Sequence, residues 1–253
     1  MVAIVLAAGY ATRLYPLTVN VPKALLKIGQ MTILDHIIQK INEIDAIKHT
    51  VIISNDKFYK NFTEWETQYK DGYRRKTGGD AALMVINDGT NSEQTRLGAI
   101  GDISFTINEL SIDDEVIIIA GDNFFTYRLI DLYNFYKTVD ADCIVVKRHP
   151  DRNALKSLGV AVIAPDSSVV DFEEKPQNPK SDLAVYATYI YKRETLPLFG
   201  EYLAAGNPKD APGNFPAWLC KRKRMFAYAF DGDCYDIGTP EAYRDILEKY
   251  GIN

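Results

Sequence analysis

The stretch VAIVLAAGYATRLYPLT, residues 2–18, constrains the fold of this chain more than any other. An apolar run changes at once into small residues, which are followed by Arg13 and then by Pro16. Small residues leave backbone N–H groups uncovered, and an arginine can bond phosphate oxygens through two donors. The stretch is therefore suited to bring the backbone close to a phosphate, as such concave backbone turns do. An ordinary turn between a strand and a helix has a similar composition, so these residues alone leave both interpretations open.

The first half of the chain alternates short apolar runs with segments of helical periodicity, which predicts a parallel sheet with crossover helices. The predicted strands are residues 2–6, 50–54, 82–86, 116–120 and 143–146. Apolar residues at three- and four-residue spacing predict helices over residues 33–44, 97–110 and 129–136. Thr32 is the expected N-cap of the first helix, and Asp35 follows three residues later.

After about residue 156 the pattern changes. GVAVIAPDSSVVDFEEKP, residues 159–176, alternates with a period of two around a PDSS turn, which predicts a β-hairpin. LAVYATYIY, residues 183–191, predicts a further strand, and the proline- and glycine-rich residues 204–216 predict a loop. GTPEAYRDILEKYG, residues 238–251, predicts a helix that begins after Thr239 with Pro240 at its first position and stops at Gly251.

Composition limits the classes of protein to which the chain can belong. Its 253 residues are 47% hydrophobic, which is enough for one large core or for one domain with an added lobe. A net charge of −5 argues against general nucleic-acid binding, and no apolar run is long enough to span a membrane. No cationic segment precedes the first apolar run, so we expect no signal peptide. The three cysteines lack CxxC spacing, which predicts neither a disulfide framework nor a thiolate zinc site and favours the cytoplasm.

A dinucleotide-binding enzyme is the rival interpretation of the opening turn. Its GxGxxG fingerprint is absent, because no glycine lies between Gly9 and Gly29. The separation of Arg13 from Lys23 suits a chain of phosphates better than a single pyrophosphate at a helix N-terminus.

The chain resembles the sugar-phosphate nucleotidylyltransferases, the pyrophosphorylases that make nucleotide sugars. The resemblance rests on motifs that occur in the expected order over nearly the whole chain: LAAGYATRLYPLT with PKALL at 6–26, AGDN at 120–123, GVAV at 159–162, EEKP at 173–176 and YDIGTPEAY at 235–243. It implies a Rossmann-like, mixed and mostly parallel sheet flanked by helices, of the nucleotide-diphospho-sugar transferase type, with a β-rich sugar-binding extension. It also implies one domain over residues 1–253, with a nucleotide-binding half at about 1–155 and a sugar-phosphate-binding half at about 156–253.

The reaction that the resemblance implies is attack by a sugar 1-phosphate on the α-phosphorus of a nucleoside triphosphate, with release of pyrophosphate. Arg13 and Lys23 are then expected to bind the triphosphate and stabilise the transition state. Asp122 and Asp236 come from distant segments, and two such carboxylates suit Mg²⁺. Taken alone, Lys23 is typical of a surface lysine and Asp122 of a turn or cap residue, so these roles depend on the resemblance.

The resemblance also implies how the two substrates are bound. Lys175 resembles the lysine that binds the sugar phosphate, and Glu174 the acid that accepts hydrogen bonds from sugar hydroxyls. The main chain at Gly159 would approach the sugar. Asn123 and Thr188 complete the expected substrate-binding residues. The expected nucleotide-binding residues are Leu6, Ala8, Gly9, Tyr10, Ala11, Thr12 and Asn91.

Three positions depart from the family pattern. Ala11 and Thr188 stand where glycine is common, and Cys234 stands where many members have tryptophan. We expect these changes to tune the ligand rather than to abolish binding.

Two alternative functions stay open on the sequence. One is a cytidylyltransferase that acts on a non-sugar phosphate, such as a phosphorylated amino alcohol, and the other is an inactive nucleotide-sugar sensor or regulatory subunit. The joint presence of Arg13, Lys23, Asp122 and Asp236 argues against loss of turnover. The nucleobase, the sugar and the oligomeric state, a homo-oligomer included, are left open.

Overall fold

The computed structural model of the protein describes residues 1–76 and 82–251. Its strands are β1 Val2–Leu6, β2 Lys27–Ile28, β3 Met31–Thr32, β4 His49–Ser54, β5 Ala82–Asn87, β6 Val116–Ala120, β7 Asn123–Phe125, β8 Asp142–Arg148, β9 Gly159–Ile163, β10 Val169–Glu174, β11 Leu183–Tyr191, β12 Met225–Ala229 and β13 Cys234–Asp236. Its α-helices are α1 Ile33–Ile41, α2 Tyr59–Lys76, α3 Ala99–Glu109, α4 Leu129–Val139, α5 Pro197–Ala204, α6 Asn214–Leu219 and α7 Pro240–Tyr250.

The chain divides into two compact units that interleave along the sequence. The first unit comprises Met1–Leu97, Ile119–Ile130 and Asp233–Asn253, and the second comprises Gly98–Ile118 and Asp131–Gly232. That about residues 1–155 bind the nucleotide and about residues 156–253 bind the sugar phosphate stays a prediction.

The first unit is organised around parallel strands. β4 pairs in parallel with both β1 and β5, in a register that sets Leu6 beside Ile53 and Ser54 beside Asn87. Parallel strands bury both faces, and the apolar side chains of β1 and of Val51, Ile52 and Ile53 in β4 are buried or, for Leu6, half-buried. The carboxyl ends of these strands consequently share one edge, which is where α/β sheets bind ligands.

Helix α1 begins as the sequence predicts. The Thr32 hydroxyl accepts a hydrogen bond from the Asp35 backbone N–H at 3.0 Å, and the Asp35 carboxylate accepts one from the Thr32 N–H at 2.8 Å. This reciprocal capping box satisfies two backbone donors that the first turn leaves free. The Thr239 hydroxyl caps α7 in a similar way by accepting from the Ala242 N–H at 3.2 Å.

The second unit is richer in antiparallel pairing, as the two-residue periodicity predicts. β9 and β10 form the hairpin expected around the PDSS turn, and β11 pairs antiparallel with both β9 and β8. β12 then pairs in parallel with β8. The predicted fold class, a mixed and mostly parallel sheet flanked by helices, is confirmed.

The predicted loop over residues 204–216 is wrong at both ends. Ala204 is the last residue of α5, and α6 begins at Asn214. Phe215 of α6 is fully buried and stacks on Phe199 of α5 with ring centroids 3.7 Å apart. The burial of these rings stabilises two short helices on either side of a segment whose proline and glycine content indicates a loop.

Helix α2 was not predicted from the sequence either. Phe62 and Trp65 are buried on it, but most of its other residues are polar. Such a helix lacks the regular apolar spacing that sequence patterns detect. No helix among the described residues is long and apolar enough to cross a membrane.

Candidate functional site

The loop that follows β1 is fixed by the neighbouring strand. The Ala7 N–H donates to the Ile53 carbonyl at 2.9 Å, and the Asn55 side-chain amide donates to the Ala8 carbonyl at 2.8 Å. Asn55 is fully buried, and its side-chain oxygen accepts from the Phe58 N–H at 3.0 Å. Asn55 was not among the predicted site residues, although its place directly after an apolar strand is a signal for such a residue.

The backbone turns sharply at Ala11. Its φ of 48° and ψ of 41° lie in the left-handed region, which explains physically why glycine is common at this position in the family. The Ala11 carbonyl accepts hydrogen bonds from the Thr18 hydroxyl at 2.7 Å and from the Leu14 N–H at 3.0 Å. These two bonds hold the loop in the conformation that glycine would adopt more easily.

The turn leaves Arg13 exposed on the loop. Within the described residues no carboxylate pairs with its guanidinium. An exposed arginine without a protein counter-ion remains able to bond an anionic ligand through its forked donors.

A second loop lies beside the first and includes Asn91. The Tyr10 and Thr90 hydroxyls are 3.3 Å apart, and the Thr90 N–H and hydroxyl both donate to Asp88, at 2.7 and 2.8 Å. The Thr12 hydroxyl contacts Glu93 at 3.4 Å. Asn91 is exposed next to Thr90, so three of the expected nucleotide-binding residues belong to two adjoining loops.

Lys23, Asp122 and Asp236 meet at one point in the first unit. β7 and β13 pair antiparallel with Asn123 opposite Asp236, and Asp122 directly precedes β7. This pairing brings the two carboxylates together, and Lys23 Nζ lies 2.9 Å from Asp122 Oδ2 and 3.0 Å from Asp236 Oδ1. Residues separated by 99 and 213 positions in the sequence are thus in direct contact.

The electrostatics of this triad favour a charged lysine. The Lys23 side chain is 9% exposed, whereas those of Asp122 and Asp236 are 47% and 55% exposed. Burial by itself lowers the pKa of Lys23, but the charges and hydrogen bonds of the two carboxylates outweigh it and raise the pKa above its usual value. A buried ammonium requires such partners, and the exposed carboxylates remain open to solvent.

The two carboxylates fit Mg²⁺ by their chemistry. They converge on a cation already, because both contact the Lys23 ammonium. Among the described residues no group of three or more His, Cys, Asp or Glu side chains could hold a metal ion. A hard cation that takes a few protein oxygens and completes its shell with water and phosphate is the kind that suits such a pair.

The second unit contains Gly159, Glu174, Lys175 and Thr188. Glu174 lies opposite Gly159 in the β9–β10 register, and a β-carbon on Gly159 would stand 3.1 Å from Glu174 Oε2. Burial raises the pKa of Glu174, and the nearby Lys175 charge offsets this in part. Within the described part of the chain, the Glu174 carboxylate has no hydrogen-bond partner. A half-buried carboxylate of this kind can still accept hydrogen bonds from a ligand.

Lys175 and Thr188 occupy irregular backbone positions. Lys175 has a φ of 50°, its N–H donates to the Leu158 carbonyl at 3.0 Å, and its side chain is exposed. Thr188 is buried where the β8–β11 register shifts between Tyr186 and Tyr189. The left-handed backbone at Lys175 ends β10 and directs the chain into Pro176.

Comparison with known proteins gives a consistent result. The family model described as nucleotidyl transferase matches residues 2–251. The chain is 26% identical to the bifunctional protein GlmU of Methanocaldococcus jannaschii over 257 residues, which is 98% of this chain and 55% of that protein. It is 26% identical to a glucose-1-phosphate adenylyltransferase of Fusobacterium nucleatum over 264 residues, 97% of this chain and 65% of that protein. The chain therefore spans 55% to 65% of the length of these relatives.

Solved structures support the same fold. A UDP-glucose pyrophosphorylase complexed with UDP-glucose matches 98% of this chain and 97% of its own, with a TM-score of 0.80 and 20% sequence identity. At this identity the likeness establishes the fold alone.

Proposed function

The chain belongs to the nucleotidyl transferase family, and on that premise we propose that it transfers a nucleotidyl group from a nucleoside triphosphate to a sugar 1-phosphate. The products are a nucleotide sugar and pyrophosphate. The observation that carries the proposal is the contact of Lys23 with both Asp122 and Asp236, in the unit whose glycine-containing loop exposes Arg13.

The chemistry requires no protein nucleophile. A phosphate oxygen of the sugar 1-phosphate forms a bond to the α-phosphorus, and the bond from that phosphorus to the oxygen of the leaving pyrophosphate breaks. Both reactants are anions, so the protein must reduce their repulsion, align them and stabilise charge on the leaving group. Arg13 and Lys23 would bind the triphosphate and supply positive charge to the transition state.

Asp122 and Asp236 would hold Mg²⁺, in keeping with the general use of a divalent metal by this family. When bound, the ion would neutralise phosphate charge and orient the triphosphate. Asn123, opposite Asp236 in the β7–β13 pair, would contact the substrate next to both carboxylates. Leu6, Ala8, Gly9, Tyr10, Ala11, Thr12 and Asn91 would contact the nucleotide.

The acceptor would be bound through residues of the second unit. Glu174 would accept hydrogen bonds from sugar hydroxyls, because its half-buried carboxylate lacks a partner among the described residues. Lys175 would pair with the sugar phosphate through its exposed ammonium. The main chain at Gly159 would approach the sugar next to Glu174, and Thr188 would complete the residues that bind the acceptor.

The names of the relatives support the proposed substrate class but not its details. Their names include an adenylyltransferase that acts on glucose 1-phosphate and a pyrophosphorylase complexed with UDP-glucose, which differ in the nucleobase. We therefore propose a nucleoside triphosphate and a sugar 1-phosphate without assigning either base or sugar. The cytoplasm is the proposed location, since Cys143, Cys220 and Cys234 are free thiols that suit a reducing compartment.

The test is a matrix of nucleoside triphosphates against sugar 1-phosphates and phosphorylated amino alcohols, read by pyrophosphate release with Mg²⁺. We expect turnover with at least one sugar 1-phosphate and none with the amino-alcohol phosphates. Turnover of CTP with an amino-alcohol phosphate alone would replace the proposal by a cytidylyltransferase. If the protein bound nucleotide but released no pyrophosphate with any combination, the proposed enzyme would be replaced by an inactive nucleotide-sugar sensor.

A further inference from the structure

Lys23 is the sole hydrogen-bond partner of the Asp122 and Asp236 carboxylates within the described residues. Each carboxylate uses one oxygen for the ammonium, Oδ2 of Asp122 and Oδ1 of Asp236. Two carboxylates held close together repel each other, and the ammonium between them offsets that repulsion. Lys23 is therefore the internal counter-ion of the pair.

A divalent cation on the same pair changes this balance. Its double charge attracts both carboxylates more strongly than the single charge of an ammonium, and it repels the ammonium at contact distance. Lys23 begins a short helical turn whose backbone is held by the Leu26 N–H, which donates to the Lys23 carbonyl at 3.0 Å. The main chain is fixed, so the flexible four-carbon side chain is the part that can move.

We propose that Lys23 competes with the divalent cation for Asp122 and Asp236, and that loading of the cation releases its ammonium to the phosphates of the nucleotide. The inference rests on the proposed function, because it takes this pair as the metal site. It adds a coupling to that function: the cation displaces the Lys23 ammonium from the carboxylates, and the nucleotide phosphates bind the displaced ammonium. Linkage requires that the effect be reciprocal, so removal of Lys23 must strengthen cation binding in the absence of nucleotide.

The first test measures Mn²⁺ binding without nucleotide, from the paramagnetic resonance signal of the free ion. The variant is Lys23→Met, and the matched control is Lys27→Met, which removes the same charge from an exposed lysine outside the triad. We expect the Lys23 variant to bind Mn²⁺ about tenfold or more tightly than wild type, on the scale expected for removing one charge at contact distance. The control should match wild type, since an exposed charge farther away is screened. Equal or weaker binding by the Lys23 variant overturns the inference.

The second test uses the unaltered protein, so it does not depend on how a variant folds. An amine-acylating reagent is applied with and without Mg²⁺, and labelling of each lysine is quantified by peptide mass spectrometry. We expect labelling of Lys23 to rise several-fold with Mg²⁺ alone, because the amine leaves its buried position, and to fall again when a nucleoside triphosphate is added. Lys27 should be labelled equally throughout. Unchanged Lys23 labelling at saturating Mg²⁺ overturns the inference.

These readouts separate the two proposals. Pyrophosphate release without any change in Mn²⁺ affinity or Lys23 labelling leaves the proposed function intact and refutes the competition. The expected binding and labelling results without turnover on any substrate pair support the competition and refute the proposed reaction.

Discussion

The Glu174 carboxylate occupies the space that a β-carbon at Gly213 would need. A β-carbon placed on Gly213 would overlap Glu174 Oε2 and lie 2.9 Å from its Cδ. Gly213 has a φ of −71° and a ψ of −14°, which any residue can adopt. The glycine is therefore required for space and not for backbone conformation.

Replacement of Gly213 by alanine should move the Glu174 carboxylate without unfolding the protein, because the overlapping atom is the end of a flexible side chain. We expect Gly213→Ala to raise the KM for the sugar phosphate by about tenfold, the effect of one lost hydrogen bond to a charged group, with the KM for the nucleotide unchanged. The matched control is Gly200→Ala, where an added β-carbon meets open space. If Gly213→Ala and Gly200→Ala gave the same KM values, Glu174 would not be the group that binds the sugar.

Asp122→Asn and Asp236→Asn test the two-carboxylate metal site. Each change keeps the shape of the side chain and removes one anionic ligand, so we expect the turnover number to fall about a hundredfold or more. The protein should still fold, because the asparagine oxygen can accept a hydrogen bond from Lys23, but its thermal melting temperature should fall since the buried ammonium loses one of its two counter-charges. Excess Mg²⁺ should restore part of the activity of each single variant. The double variant should lose little more than either single one, because the pair acts as a unit. Normal activity and normal Mg²⁺ dependence of Asp236→Asn would eliminate the site.

Arg13→Ala tests the loop after β1. The guanidinium is exposed and pairs with no carboxylate among the described residues, so its loss should not change stability. We expect the turnover number to fall about a hundredfold, as is typical when one donor to the transition state is removed. The measurements are steady-state kinetics and thermal melting on the same preparations. A near-normal turnover number would make Arg13 a surface residue.

Lys175→Ala tests the acceptor site from the phosphate side. We expect the KM for the sugar phosphate to rise by about tenfold or more, since a charge-assisted contact is lost, while the KM for the nucleoside triphosphate changes little. Lys180 is an exposed lysine of the same unit that pairs with Asp171 and Glu173, and Lys180→Ala is the control. A similar rise in both Michaelis constants for Lys175→Ala contradicts the assignment.

Ala11→Gly tests the strain in the phosphate loop. Glycine adopts the left-handed conformation of Ala11 without the steric cost of about 1 kcal/mol that other residues bear. Part of that gain is offset by the greater freedom of glycine in the unfolded chain, so we expect the free energy of unfolding to rise by about 0.5 kcal/mol. Ala205→Gly is the control, because Ala205 has an ordinary φ of −76° and the added freedom of glycine in the unfolded chain should lower the free energy of unfolding by about 0.4–1 kcal/mol. Denaturant titration measures both, and a loss of stability in Ala11→Gly as large as in the control contradicts the expectation.

Local sequence patterns were sufficient to predict the helices and strands whose bounds depend on their own residues. Strand β6 begins and ends where the apolar run does, and the capping residues of α1 and α7 are those that the sequence predicts. Helix α6 was missed because it contains Pro216 and follows a segment rich in proline and glycine, which indicates a loop. Helix α2 was missed because its few buried residues have no regular spacing. In α6 the decisive contribution is long-range packing, which a sequence window does not contain.

The sequence by itself determined the fold class and the family and predicted the residues of the candidate site, because these depend on periodicity and on motifs whose residues are neighbours in the chain. Only the tertiary structure decided which of those residues touch. The β7–β13 pairing places Asp236 opposite Asn123, and this brings Lys23 into contact with both carboxylates. The tertiary structure likewise decided that Asn55 fixes the Ala8 carbonyl and that Gly213 makes room for Glu174. Charges and steric contacts act over a few ångströms in space whatever the separation in sequence, so these relationships exist only once the chain has folded.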